Sequence, residues 1–105
     1  MTLSSVAHVS TSKPSPYLKQ LCRHFGHRNE VTFEDAHGEI NLPSGVCRLE
    51  VTGDAELTLT ATAAEPDSLD ALTRVIGSHL ERFGSRDGLS VEWTAGGAGS
   101  RDQAS

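Results

Sequence analysis

The chain has 105 residues, a formal net charge of -5 and 5% aromatic residues. That length makes a single domain that can bury roughly two thirds of its unfolded surface, so a core of Leu, Val, Ile and Ala needs no staple. The acidic balance excludes an ordinary nucleic-acid binder, which carries a basic face, and an anionic membrane as partner.

The first residues, "MTLSSVAHVSTSKPSP", contain no continuous apolar run of the kind a secretory leader needs. No apolar stretch approaches the ~20 residues of a membrane helix. The expectation is a soluble cytoplasmic protein in which Cys22 and Cys47 are reduced thiols.

In chain order, Leu3 to Ser10 reads as a short strand. "STSKPSP" then turns the chain, and Ser15 is expected to cap a helix with Pro16 at its first position. Leu18, Leu21, Cys22 and Phe25 recur at i, i+3, i+4 and i+7, a helical stripe that Gly26 stops. Four strands follow. Val31 and Phe33 alternate with polar residues, as do Ile40 and Leu42 after the "DAHG" turn. Cys47, Leu49 and Val51 oppose Arg48, Glu50 and Thr52. Leu57, Leu59, Ala61 and Ala63 oppose Glu56, Thr58, Thr60 and Thr62. This period of two predicts an antiparallel sheet covered on one face only.

"EPDS" opens a second helix, with Asp67 or Ser68 as the expected cap and Leu69, Leu72, Ile76, Leu80 and Phe83 as its buried stripe. Gly84 ends it. Leu89, Val91 and Trp93 alternate as a last strand. Residues 96–105 are Gly- and Ser-rich and predict a flexible tail after a single domain at 1–95. The order β-α-β-β-β-β-α-β predicts an α+β two-layer sandwich, mainly antiparallel, with both helices on one face.

Chemistry concentrates in "YLKQLCRHFGHR", Tyr17 to Arg28. Lys13, Lys19, Arg23 and Arg28 have no acid among them, whereas residues 30–70 hold ten acids against Arg48 alone. This locally basic helix could meet an anionic ligand, or could be a solvated face. At about 100° per residue, Cys22 lies inside the apolar stripe and His24 about 160° away, so the two cannot share a metal. Cys22 reads as a small buried hydrophobe. His24 and His27 could share an ion only if Gly26 left the helix intact, and two ligands leave a tetrahedral site half filled.

His79 falls between Val75 and Leu72 on the margin of the second helix's stripe, as His24 does on the first. Helices packed side by side would bring these margins into a groove. Two imidazoles there could ligate a metal or haem iron, or bind an anion with Arg28 and Arg82, with Tyr17 on the rim. The alternative is that each is a boundary histidine whose ring is simply packed. His8 and His37 lack ligand spacing. No G-x-S-x-G, C-x-x-C, H-E-x-x-H, P-loop or G-x-G-x-x-G is present, and no acid pair marks a general acid and base. Catalysis is without support.

At "YLKQLCRHFGHR" and "HLERFGSRDGLSVEW" the chain resembles the bacterial family called domain of unknown function 2218, over nearly everything but the tail. The matching positions are Tyr17, Leu18, Leu21, His24, Phe25, His79, Leu80, Arg82, Phe83, Arg86 and Trp93; where the usual pattern has an aromatic before Arg86, this chain has Ser85. The resemblance assigns no activity and implies an association with iron and siderophore uptake. Residues and resemblance together predict a non-catalytic binding protein with iron or haem as the candidate cofactor. A small anionic or metal-containing ligand would contact Tyr17, His24, Arg28, His79 and Arg82, with His24 and His79 on the metal. The alternative is a homodimeric interaction module with no small ligand.

Overall fold

A computed structural model describes residues 2–95. Strand β1 (Leu3–Ser10) leads to helix α1 (Pro14–Phe25), then to β2 (Glu30–Phe33), β3 (His37–Leu42), β4 (Gly45–Gly53) and β5 (Glu56–Ala63). Helix α2 (Pro66–Phe83) follows, and a single 3-10 turn at Ser85–Asp87 precedes the two-residue strand β6 (Thr94–Ala95). The sheet order is β2-β3-β4-β5-β1-β6, and every neighbouring pair is antiparallel. The α+β class and the order of elements are those the hydrophobic pattern predicts. The tail at 96–105 lies outside the described residues.

Register carries the one-sided alternation across the whole sheet. Ser5, Ala61, Cys47, Ile40 and Val31 stand opposite one another in one row, and Ala7, Leu59 and Leu49 in the next. Apart from the outer members Ser5 and Val31, these side chains are buried. The alternating rows hold His8, Thr58, Glu50 and His37, then Thr60, Arg48, Glu39 and Thr32, and face away from the helices. Leu18, Leu21 and Cys22 of α1 and Leu72, Ile76 and Leu80 of α2 close the apolar side, all at 0% exposure. The core is aliphatic, as the low aromatic content requires.

Helix starts differ from the sequence expectation. α1 begins at Pro14 behind Lys13, without a side-chain cap, and Ser15 Oγ donates instead to the Asp35 carbonyl at 2.7 Å. α2 begins at Pro66 behind an extended Glu65, so neither Asp67 nor Ser68 is the cap. In both cases a proline takes the first turn, where its missing N–H costs nothing, and sets the start earlier than a capping side chain would.

The last strand is also shorter than its alternation suggests. Among the described residues of this segment, only Thr94 and Ala95 pair with β1, opposite Val6 and Ser5. Leu89, Val91 and Trp93 do face the core, but as a strap against α2. Val91 N–H donates to the Glu81 carboxylate at 2.8 Å rather than to a strand. Gly77 gives the strap room: a Cβ there would stand 3.1 Å from Trp93 Nε1 and 3.5 Å from Val91 Cγ1.

Both cysteines are free and fully buried. Burial pushes the Cys22 thiol up to about 11; Cys47 is pushed up to about 12, by burial first and then by Cys22. Since the thiolate is the nucleophile, neither thiol should react with a disulfide reagent at pH 8 in the folded protein, and both should react at once in denaturant. A thiol titration with and without guanidinium checks this.

A second expectation concerns Gly45, where an added Cβ would lie 2.2 Å from the Thr62 carbonyl oxygen, whereas one at Gly53 meets nothing within 4 Å. Backbone cannot yield as a side-chain tip can. Gly45→Ala should therefore cost about 1–3 kcal/mol of stability, as overpacking does, while Gly53→Ala stays within about 1 kcal/mol, measured by urea unfolding.

Candidate functional site: an imidazole pair between the helices

The site follows from how α1 and α2 lie on the sheet. Leu18, Leu21 and Cys22 fix the rotation of α1, and Leu72, Ile76 and Leu80 that of α2. The residues flanking each buried stripe are then left along the line where the helices meet. On α1 that residue is His24, beside buried Phe25; on α2 it is His79, half-buried, one turn before Phe83. The two imidazole centroids are 4.9 Å apart, with their planes tilted by 40°. Phe25 meets the His79 ring edge-on at 5.1 Å, and Phe83 meets His24 edge-on at 5.5 Å. Two imidazoles and two phenyl rings thus form one cluster at the groove.

The tautomer of His79 can be deduced. Its Nδ1 lies 2.7 Å from the Val75 carbonyl oxygen, which can only accept, so Nδ1 carries the hydrogen. In the neutral ring, Nε2 then keeps its lone pair. His24 is held below its usual pKa, first by loss of water against its neighbours, then by the charges of His79 and His27. Each effect disfavours the imidazolium, so His24 too offers a lone pair near neutral pH. Neutral imidazole is the form that binds metals.

The separation tests which metal geometry fits. With metal–nitrogen bonds of about 2.0–2.1 Å, two imidazoles on one ion have centroids about 6.3 Å apart when trans and about 4.5–5.2 Å when cis. The observed 4.9 Å lies in the cis range. A porphyrin held between the rings requires trans ligation, so haem as a bis-histidine complex does not fit this pair. Among the described residues no group of three His, Cys, Asp or Glu could hold an ion. His27 therefore does not complete a set with His24 and His79.

The remaining predicted residues divide. Tyr17 is buried two turns up α1 from His24, and its hydroxyl donates to the Asp87 carboxylate in the turn after α2, with Lys13 Nζ 4.0 Å from the same carboxylate. The hydrogen bond to Asp87, then burial and the carboxylate's charge, raise the phenol above its usual pKa of 10.0. Tyr17 therefore fastens the end of α2 to the start of α1 and does not line the imidazole pair. Asp87 was invisible to sequence reasoning, because nothing local marks a partner 70 residues away.

Arg82 stands one turn beyond His79, and Arg28 lies in the turn that closes α1; both are exposed. Among the described residues neither guanidinium has a side-chain partner. His8 pairs with Glu56 at 2.6 Å and His37 with Glu34 at 3.4 Å, both at exposed positions away from the helices.

Comparisons with known proteins agree with this architecture. No curated protein matches the chain. The NMR structure of PA4090 from Pseudomonas aeruginosa is similar, with a TM-score of 0.73 and 27% identity over 88% of this chain and 95% of that one. The family described as "Uncharacterized protein conserved in bacteria (DUF2218)" matches residues 6–94. A match across that much of the sequence, over a fold shared with a bacterial relative, places the protein in the DUF2218 family.

Proposed function

We propose that the protein is a non-catalytic cytosolic binding protein whose ligand contains a metal held by His24 and His79. The observation that carries this reading is the 4.9 Å separation of two imidazoles at the helix groove. The His79 tautomer and the lowered His24 pKa support it, since both leave lone pairs available. Imidazole nitrogen suits iron, nickel, copper and zinc, so the donors alone do not single out one of them. The iron and siderophore association implied by the resemblance read in the sequence favours iron, and with it a role accessory to iron or siderophore handling. Haem held by both imidazoles is no part of this reading, because the pair is too close for it.

The protein's own groups would bind and orient. His79 is aimed by its bond to the Val75 carbonyl, the kind of outer contact that fixes a ligating ring. Phe25 and Phe83 fix the ring positions from the sides. Among the described residues both thiols are buried and pushed up in pKa, so neither is an activated nucleophile, and the reading is of a ligand captured without being transformed.

Replacing each histidine by phenylalanine keeps a ring in the cluster and removes the lone pairs. Untagged wild-type protein should take up one Fe²⁺, Ni²⁺ or Zn²⁺ per chain, read by metal analysis and calorimetry. His24→Phe and His79→Phe should each lower that affinity by at least tenfold while thermal unfolding stays within a few degrees. Wild-type protein that takes up no iron, nickel, zinc, haem or ferric siderophore would refute the reading.

A further inference from the structure

We infer that the metal reaches this site as an anionic chelate with two adjacent coordination positions open, not as a bare ion and not as a saturated complex. The inference rests on the reading of His24 and His79 as ligands and adds the coordination state and charge of what they take. Two observations independent of the ring separation carry it.

The first is the incomplete donor set. A structural zinc site supplies four protein ligands and a catalytic one three. Here two imidazoles stand together, and among the described residues no third His, Cys, Asp or Glu joins them. The two flanking rings are phenyls, which cannot ligate. A bare ion would keep most of its water and bind weakly. An ion whose other positions are already held by a chelator needs only the two cis nitrogens that the groove provides.

The second is charge. On a chain of net charge -5, the residues that follow the two histidines along their elements are cationic: His27 and Arg28 after His24, and Arg82 and Arg86 after His79. Among the described residues, the guanidiniums of Arg28, Arg82 and Arg86 have no side-chain partner. The nearby acids are otherwise engaged. Glu81 accepts the Val91 N–H, and Asp87 accepts from Tyr17. Glu30 sits in register with Asn41, on the sheet face turned away from the helices. Unpaired cations beside a metal site repel a free cation and attract a chelate whose carboxylates or phenolates leave it negative.

Nickel complexes provide the probes. Ni²⁺–nitrilotriacetate is anionic and leaves two cis positions open; Ni²⁺–EDTA is anionic and leaves none; hydrated Ni²⁺ is cationic. Calorimetry on untagged protein at low salt should show Ni²⁺–nitrilotriacetate binding at one per chain and more tightly than hydrated Ni²⁺, with Ni²⁺–EDTA failing to bind. Arg28→Gln combined with Arg82→Gln, both exposed and tolerable to the fold, should weaken the nitrilotriacetate complex by about tenfold, the scale of two exposed charge pairs. The same variant should leave hydrated Ni²⁺ unweakened. Binding of hydrated Ni²⁺ that depends on His24 and His79, without binding of Ni²⁺–nitrilotriacetate, would overturn this inference and leave the proposed function standing. Equal binding of Ni²⁺–EDTA would also overturn it, since charge alone would then explain the affinity. Failure of every nickel form would overturn this inference, and the proposed function falls with it only if iron, zinc, haem and ferric siderophore also fail to bind.

Discussion

The structure depends on one aliphatic layer, formed where two helical stripes meet the inner face of the sheet. Leu18, Leu21, Leu72, Ile76 and Leu80 are all at 0% exposure against Ile40, Leu49, Leu57 and Leu59. Each such side chain contributes about 1.5–3 kcal/mol when fully buried. That layer fixes the rotation of both helices, and rotation decides which residues flank the groove. His24 and His79 face each other because leucines elsewhere on the same helices are buried.

Magnitudes separate holding the fold from forming the site. A ring–ring contact adds about 0.5–1.5 kcal/mol beyond its buried area, much less than the leucine layer supplies. The imidazole pair is therefore not what keeps α1 and α2 together. Tyr17, fastened to Asp87 at the other end of the groove, is better placed for that, since a hydrogen bond to a charged group contributes about 1.5–3 kcal/mol. The groove thus has a structural end and a polar end. Phenyl rings would pack at His24 and His79 as well, so the proposed role rests on the nitrogens rather than on the packing.

Much of this was legible in the sequence because it is periodic. The alternation in β4 and β5 set register and facing, and the stripes of α1 and α2 placed His24 and His79 on stripe margins. What was not legible depends on contacts distant in sequence or on competition between partners. The sequence put Tyr17 on the rim of the groove, but helical rotation says nothing of position along the axis or of a carboxylate beyond α2. The helix starts were misplaced because both a capping side chain and a proline can begin a helix, and here the prolines take that role.

The strap from Leu89 to Trp93 shows the same limit. Its alternation correctly predicts which side chains turn inward, for Leu89, Val91 and Trp93 are part-buried and Gly88, Ser90 and Glu92 exposed. Facing, however, does not specify a hydrogen-bond partner. The register of β6, with Thr94 opposite Val6 and Ala95 opposite Ser5, would place Val91 opposite Val9 if the ladder ran on. The Glu81 carboxylate instead takes the Val91 N–H, and the missing side chain at Gly77 lets Trp93 close against the helix. One carboxylate and one glycine on α2 therefore hold against that helix a segment patterned for the sheet. Both are on the helix that carries His79, so the strap braces the same element that the imidazole pair needs held in place.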